Sequence, residues 1–446
     1  MADQVSQVKI SDASQPSDSY TYVTVSRGLG CVRPTKREET MFDLLFVGNP
    51  AIDDGIAEPD DMPQSLIARL RGATLKTLEK TYHLAIESQA QAIVLCGSIL
   101  NPTRVSPAQL IAFRQLILRA ADHDCETLCV ATNPTDAQEY LRVLGEPKGL
   151  SFATTFNPWT QTIRSTTVEL WAISNEADVD RVAAQSSFEP LHRQILVGSD
   201  ACHDTHHSVT SFLSSRHLAQ PNTLAVWATK STPSLPHHIL PLPSIQSRCH
   251  TDSRNSGCYG LTFYRPPSAA DNDSATKNKG AIDQWKQLPV SDVIWRTIRT
   301  ESADEDHEAL SQLLWEACSS LVDDLVPEGD ETITTARPLV IINCQIACGT
   351  SITRRLEVNE IAQETKRILR ERCAAAAPHI WIESISADVE ESLAALGRNR
   401  SGGRPGASSS FTSALADLVT EAESASPVTS AEREAGWLAL ELLESE

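Results

Sequence analysis

Short apolar runs mark three buried strands in the first third of the chain. They cover residues 44–47, 93–96 and 128–130, and each contains only hydrophobic or cysteine side chains. Each run is followed within a few residues by glycine, asparagine or proline, which favour turns. Runs of this length, bounded by turn signals, are typical of strands that are covered on both faces.

Two amphipathic helices are predicted between these strands. The first is indicated by apolar positions that recur at three- and four-residue steps. The second is predicted from about residue 107 to residue 120. The resulting order of strand, helix, strand, helix and strand predicts a layered α/β domain. The apolar positions of the first helix are Leu75, Leu78, Tyr82, Ala85 and Ile86.

The pattern changes after residue 150 to short strands separated by polar turns. These strands lie in TTVELWAIS, QILVGSDA, TLAVWATK and CYGLTFYR, and they are typical of the sheets of a two-layer core. Further on, SDVIWRTIRTE and RPLVIINCQIAC each predict a strand. A helix follows each of them, near residues 306–321 and in NEIAQETKRILRERCAAAA, which predicts a second, smaller α+β unit.

Four segments follow from this pattern. Residues 1–40 are polar and lack periodicity, so they are predicted to form a disordered extension. Residues 41–285 form the α/β domain, and residues 286–396 form the smaller α+β domain. Residues 397–446 begin with the linker-like stretch GRNRSGGRPGASSS and end in an acidic segment.

Composition restricts the class of protein. The 446 residues, 41% of them hydrophobic, can bury the cores of two domains. No apolar run reaches the roughly 18 residues of a membrane span and the N-terminus lacks the order of a signal peptide, so a cytoplasmic protein without membrane contact is expected. The odd number of scattered cysteines, 11, indicates reduced, mostly buried thiols. A net charge of −20 argues against a DNA-coating surface, although a local basic groove remains compatible with it.

The stretch AIVLCGSILNPTRV, residues 92–105, raises the question of function. An α/β enzyme places catalytic groups where a strand ends, and here a serine, Ser98, stands at that position. The residues that follow Ser98 directly are apolar, and none of them is an acid, a base or a metal ligand. The platform for chemistry is therefore predicted without the usual reactive group.

These elements and their spacing resemble the SbcD/YhaO-type DNA repair exonucleases, which are capped members of the calcineurin-like metallophosphoesterase superfamily. The segment PSIQSRCHTDSRNSGCYGLTFY, residues 243–264, is similar to a Pro-Gly-x-x-Gln-Gly-Arg…Glu…Lys-Gly-Cys segment of that family. SDVIWRTIRTE resembles the strand that leads into the cap domain. The resemblance implies a two-sheet sandwich flanked by helices, with a smaller C-terminal α+β cap domain. The matching positions are Gln246, Arg248, Gly257 and Cys258, with Asp252 where the family has Glu.

The resemblance also locates a former metal pocket. The family holds two metal ions with motifs of the types Asp-x-His, Gly-Asp and Gly-Asn-His-Asp, followed by His and Gly-His-x-His. The first three fall on Asn49-Pro50-Ala51, Gly97-Ser98 and residues 132–135, and the last two fall near Gly198 or Ser199 and on residues 230–233. Magnesium and manganese require anionic or imidazole ligands, so no bound cofactor and no intact catalytic residue are expected. The former pocket positions are Asn49, Ala51, Ser98, Asn133 and Pro134, of which only Asn133 matches a family ligand.

Two functions remain open. The first is a catalytically inactive family member that binds a partner, either an SMC-like ATPase subunit, as the family does, or DNA ends. A homodimer is a further expectation. The second is an active, manganese-dependent or other divalent-metal phosphoesterase with a rebuilt site. Its metal ligands would come from His203, His206 and His207 in CHDTHH and from an acidic loop; that loop contains Asp53, Asp54, Glu58, Asp60 and Asp61.

Each of these clusters also has a simpler interpretation, which we favour. CHDTHH is then a solvent-exposed loop, and the acidic residues form a solvated surface. The pair Cys125 and Cys129 is predicted to be buried rather than metal-binding. The arginines of GRNRSGGRPG, which are Arg398, Arg400 and Arg404, are interpreted as part of a linker rather than a nucleic-acid contact.

Overall fold

The computed structural model describes residues 41–131, 134–185, 192–199, 223–229, 239–249, 256–263, 284–302, 307–325, 337–348, 352, 355–356 and 360–388. The predicted disordered extension and the linker with its acidic segment lie outside these ranges. The chain divides into two compact units, of which the first is Cys31–Ile294 and the second contains the residues from Trp295 onward.

The first unit alternates strands and helices and then continues mainly with strands. Its helices are α1 (Gln64–Glu87), α2 (Pro107–Ala121), α3 (Pro134–Leu144) and α4 (Glu176–Gln185). Its strands are β1 (Leu44–Gly48), β2 (Ala92–Cys96), β3 (Glu126–Ala131), β4 (Leu150–Thr154), β5 (Trp159–Ile163), β6 (Thr166–Ala172), β7 (His192–Ser199), β8 (Thr223–Ala228), β9 (Ile239–Leu242), β10 (Cys258–Thr262) and β11 (Gln284–Leu288).

Six of these strands form the first sheet, in the order β11-β10-β1-β2-β3-β4. Strands β1 to β4 run parallel to one another, whereas β10 pairs antiparallel with both β1 and β11. The strands predicted at residues 44–47, 93–96 and 128–130 are therefore neighbours, and their carboxyl ends lie at one edge. The three strands predicted from the apolar runs are confirmed, as β1, β2 and β3.

The remaining five strands form the second sheet, in the order β5-β6-β7-β8-β9. Strands β6 to β9 are parallel, and β5 is an antiparallel edge strand paired with β6. Parallel neighbours need a connection that crosses over the sheet, and α4 lies between β6 and β7 in the chain. The carboxyl ends of β7 and β8 therefore also lie at one edge of their sheet.

The two sheets stack face to face because each central strand is apolar on both sides. Leu44 and Phe46 of β1 belong to the core between the sheets, together with Val197 of β7. Leu45 and Val47 point the other way and pack with residues of α1 and α2. Helix α4 covers the outer face of the second sheet with two valines, Val179 and Val182. The predicted layered α/β fold is confirmed. Its layers, in order, are helices, the first sheet, the second sheet and a helix.

The second unit is smaller. It contains a three-stranded sheet in the order β12-β13-β14, and β13 runs parallel to β14. Two helices bury their apolar faces on this sheet, with Leu314 and Leu369 among the fully buried side chains. Its elements are β12 (Val293–Ser302), α5 (His307–Leu325), β13 (Leu339–Cys348), α6 (Glu360–Ala376) and β14 (Ile380–Ala387).

Cysteines contribute to both cores as thiols. Cys125 and Cys129, which bracket CETLC, are both buried, as predicted. Burial raises the pKa of each of these two thiols to about 12, so neither is a thiolate at neutral pH. These side chains act as small hydrophobic groups. Within the described ranges, no helix combines the length and apolar character that a membrane span requires.

A buried carboxylate, that of Asp292, is bound by side chains of α1 within the first unit. The Asp292 side chain is fully buried, and Lys80 donates to it at 2.8 Å. Lys76 and Arg69 lie at 3.2 and 3.4 Å from the same carboxylate. Burial opposes ionisation, but the hydrogen bond from Lys80 and the three positive charges together hold the pKa of Asp292 below its usual value. The ionised form therefore stabilises the fold.

Replacing Asp292 with asparagine should lower the free energy of unfolding at pH 7 by about 3 kcal/mol, because three cations lose their shared anion. The folded-state pKa is lowered, so this stabilisation is fully present above the unfolded pKa of about 3.9 and is lost as the pH falls through the lower, folded-state pKa. Urea denaturation of wild type and Asp292→Asn should differ clearly at pH 7 and less at pH 3.

Asp122→Asn is the matched control, because the Asp122–Lys148 pair is 73% exposed on both sides. It should cost less than about 1 kcal/mol at either pH. Equal losses from the two substitutions would show that the buried position of Asp292 carries no special weight.

Candidate functional site

The loops after β1 and β2 are held together by a ladder of backbone hydrogen bonds. The Asn49 amide donates to the Cys96 carbonyl at 2.8 Å, and the Ala51 amide donates to the Ser98 carbonyl at 2.8 Å. The Ile52 amide continues the ladder to Ile99 at 3.0 Å. Three predicted positions of the former metal pocket, Asn49, Ala51 and Ser98, are thus brought together at the carboxyl edge of the first sheet.

The Asn49 side chain closes this junction. Its Oδ1 accepts a hydrogen bond from the Ser98 amide at 3.0 Å, and the residue is almost completely buried. Asn49 adopts a left-handed backbone conformation, with φ at 40°, which asparagine tolerates better than most residues. Gly97, with φ at 77°, needs to be glycine because a Cβ there would lie 2.2 Å from Asn49 Oδ1.

These residues do not fit the family's pair of divalent metals. The side-chain oxygen of Asn49 is committed to a backbone amide, and its Nδ2 is a buried donor without a partner among the described residues. Ala51 is buried and offers only a methyl group. A serine hydroxyl such as that of Ser98 is a poor ligand for magnesium or manganese.

The other former pocket positions add no ligand that the structure can place. Pro134 is the first residue of α3, and proline has no side-chain donor. Asn133, His203, His206, His207 and residues 230–233 lie outside the described ranges. No group of three or more His, Cys, Asp or Glu in the described part of the chain is arranged to hold a metal. The expectation of no bound metal therefore stays a prediction.

A cleft of about 340 Å³ opens beside this junction, where the ends of β2, β3 and β7 meet α3. Ser98 and Ser199 both line it, and the fourth family motif falls near Gly198 or Ser199. Gly198 shapes this wall, since a Cβ there would come within 2.0 Å of the Trp227 ring. The lining consists of Gly97, Ser98, Leu100, Asn101, Pro102, Val130, Ala131, Asp136, Glu139, Tyr140, Val197, Gly198 and Ser199.

Two carboxylates of α3, which sequence analysis did not single out, give the cleft its charge. Asp136 is half-buried in the first turn of α3, and Glu139 follows one turn later. Burial, and then the charge of Glu139, raise the pKa of Asp136 above its usual value. The cleft is therefore a place of negative potential, which favours cations and opposes phosphate groups. Their three-residue spacing directly after a strand is the signal that could have identified them.

The acidic loop after β1 is largely engaged in contacts within the protein. Asp53 accepts a hydrogen bond from the Asn101 amide at 2.7 Å, and Asp54 lies 3.5 Å from Arg104. The Glu58 carboxylate accepts two hydrogen bonds from Arg71, at 2.7 and 3.1 Å. These contacts fix the loop, while Asp60 and Asp61 are exposed.

Gln246, one of the positions that carry the family resemblance, has a structural role. Its Oε1 accepts hydrogen bonds from Thr77 Oγ1, at 2.8 Å, and from the amides of Asp292 and Val293. Its Nε2 donates to the carbonyls of Val293, at 2.7 Å, and Ser247. This fully buried amide therefore connects α1 to Asp292 and Val293 within the first unit.

Arg248, the second of these positions, reaches the site itself. Its Nη2 donates to the Asn49 carbonyl at 3.1 Å, and its Nη1 lies 3.8 Å from Asp54. It thereby also holds the loop after β1. Cys258 is buried in β10, and Asp252 lies outside the described ranges.

A comparison with models of known protein families and with curated proteins finds no match to the chain. The family resemblance therefore depends on the motifs and the order of elements in this sequence alone.

Removing the charge of Glu139 should lower the pKa of Asp136, because that charge is one of the two causes that raise it. The pKa should stay above the usual value, since burial remains. NMR titration of the Asp136 carboxyl carbon in wild type and Glu139→Gln measures this shift. Glu146→Gln removes the same charge beyond the end of α3 and should leave the Asp136 titration unchanged. An unchanged Asp136 pKa in Glu139→Gln would show that the two carboxylates do not interact.

Proposed function

We propose that this protein is a catalytically inactive member of the SbcD/YhaO-type metallophosphoesterases, which acts in the cytoplasm by binding a partner ATPase. Its first unit supplies the sandwich, and its smaller α+β unit corresponds to the cap. The proposal assigns the protein a binding role in place of phosphodiester hydrolysis.

The junction between Asn49 and Ser98 is the observation that carries this proposal. In the family, carboxylates at these positions would hold metals that activate water and neutralise phosphate charge. Here the amide oxygen of Asn49 binds the Ser98 backbone at 3.0 Å and is thereby used to stabilise the loops. Ala51 is buried without any donor group. A scaffold that is kept while its ligands are replaced by neutral, structural side chains suits a binding protein.

The charge of the cleft supports a protein partner over DNA ends. Asp136 and Glu139 line the cleft, in a chain whose net charge is −20. DNA binding depends on lysine and arginine that neutralise phosphates, so two carboxylates oppose it at this place. The ATPase is therefore the partner that we propose.

The purified protein should show no manganese-dependent hydrolysis of DNA or of simple phosphodiesters above background. Such hydrolysis requires a bound metal ion that lowers the pKa of its water toward about 7, and Asn49, Ala51 and Ser98 supply no charged ligand to hold that ion. Nuclease assays with and without a chelator measure this.

One result would contradict this prediction and favour the rebuilt site. It is an activity that co-purifies with the protein, disappears with the chelator and is lost when His203, His206 and His207 are replaced together by alanine. A matched variant replaces His237 and His238 by alanine. These two histidines lie outside CHDTHH, so this variant should keep that activity.

Restoring carboxylates should create weak manganese binding if the positions correspond to those of the family. Asn49→Asp with Ser98→Asp places two acidic ligands on adjacent loops, whereas histidine at position 51 would have to displace packed neighbours because Ala51 is buried. Calorimetry should detect heat of manganese binding for the double variant.

Asn49→Asp with Ser98→Asn is the control, and it should bind more weakly because it contains one carboxylate fewer. Circular dichroism establishes that both variants are folded. Two folded variants that bind manganese equally, or not at all, would show that the positions do not correspond.

A further inference from the structure

The cleft beside the junction of Asn49 and Ser98 has the size and the walls of a binding site. Its volume of about 340 Å³ lies in the range of pockets that hold a small molecule or a single side chain. Its walls come from the ends of β2, β3 and β7 and from α3. Because three of these elements are strands of the two stacked sheets, the core fixes the shape of the cleft.

The walls of the cleft are largely apolar. Val130 of β3 and Val197 of β7 are buried side chains that line it, and Leu100 adds a third apolar group from the loop after β2. Ser98 and Ser199 contribute hydroxyl groups at the strand ends. Ligand pockets commonly combine apolar walls with a few polar groups. Such walls suit a ligand with an aliphatic part and a polar end.

The charge of the cleft is not compensated within the described part of the chain. Among those residues, the only charged side chains that line it are the carboxylates of Asp136 and Glu139. Neither carboxylate forms a hydrogen bond or an ion pair with another described residue. Burial, and then the charge of Glu139, raise the pKa of Asp136. A bound cation would remove the repulsion between the two carboxylates.

Other shielded carboxylates of the first unit do have cationic partners. Asp43 is buried and lies 2.7 Å from Arg164, and Asp292 is bound by three cations of α1. Charges that are withdrawn from water are usually paired in this way. Asp136, which is half-buried without such a partner, therefore differs from them and indicates that the cation comes from a ligand.

The spacing of the two carboxylates favours a guanidinium group over an ammonium group. Asp136 and Glu139 are three residues apart on α3, which makes them neighbours with Cβ atoms about 5–6 Å apart. A guanidinium has five N–H donors in a planar fork, whereas an ammonium is a compact and strongly hydrated charge. Tyr140 also lines the cleft, and guanidinium groups stack on aromatic rings.

We propose that the cleft receives an arginine side chain of the partner protein. Its guanidinium binds Asp136 and Glu139, and its aliphatic part packs against Val130 and Val197. The inference rests on the proposed function only in that the chain acts by binding a protein. Loss of arginine binding would leave the result of the nuclease assay unchanged, so the two proposals can fail separately.

The probe is a synthetic peptide in which one arginine is flanked on each side by serine and glycine, with both termini blocked. In the control peptide, citrulline replaces arginine, which keeps the shape of the side chain but removes its charge. Saturation-transfer NMR with the full-length protein should give a dissociation constant on the order of 1 mM for the arginine peptide. The citrulline peptide should bind at least about tenfold more weakly, because it makes no charge-assisted hydrogen bonds.

Two double variants test the position of the bound arginine. Asp136→Asn with Glu139→Gln should abolish binding of the arginine peptide. Asp60→Asn with Asp61→Asn, which removes two exposed charges that do not line the cleft, is the matched control and should leave the affinity unchanged. Circular dichroism establishes that both variants are folded. In wild type, the arginine peptide should also lower the pKa of Asp136 in the carboxyl NMR titration, because a bound cation favours the ionised form.

Four results would overturn the proposal. They are absence of binding to folded wild-type protein, equal affinities of the arginine and citrulline peptides, and equal losses of affinity in the two double variants. The fourth uses agmatine, a free guanidinium compound without a peptide backbone. If agmatine binds at least about tenfold more tightly than the arginine peptide, the cleft is a site for a small organic cation instead of a protein side chain.

Discussion

The burial of the central strands on both faces is the constraint on which the first unit depends. Every residue of β1 and β2 is buried, so alternate side chains must be covered by a second sheet on one side and by helices on the other. Parallel neighbours in each sheet place their carboxyl ends at a common edge. The loops that leave these ends, and the cleft between them, are positioned by the same stacking that buries the strands.

The cleft and the junction beside it contain neutral groups at the positions where the family resemblance implies metal ligands. Where the family resemblance implies carboxylate and imidazole ligands, the loops are joined by an amide oxygen and a backbone N–H, and this neutral junction needs no metal for its stability. The charge of the cleft comes from α3, whose Asp136 and Glu139 make the potential there negative. Such a cleft opposes a phosphate substrate, which agrees with a role in binding a protein.

Helix α2 connects the core of the first unit to the loop after β1. Its inner apolar residues stabilise the first sheet, and the capping box and the bond from Gln109 to Ile52 fix its orientation. On its outer side, Arg114 donates to the Leu144 carbonyl at 3.3 Å, which connects α2 to the end of α3.

Sequence alone determined the main elements of the fold. Continuous apolar runs identified β1, β2 and β3, and the helical periodicity identified α1 and α2, because both patterns express burial directly. Sequence analysis did not predict α3, α4, β4, β5, β9, β11 and β14. Helix α3 begins with Pro134 directly after a strand and is largely polar, and β11 is a mostly exposed edge strand, so neither shows a strong hydrophobic pattern.

Only the tertiary structure decided what the candidate site contains. The sequence shows that Asn49 stands where a ligand is expected, but not that its amide binds the backbone of Ser98. It also cannot show that Ser199 and Asp136 line the same cleft as Ser98, since these residues lie on separate strands and a helix. The physical reason is that local patterns report which side chains are buried, whereas their meeting depends on the stacking of the two sheets and on the pairing of strands far apart in the chain.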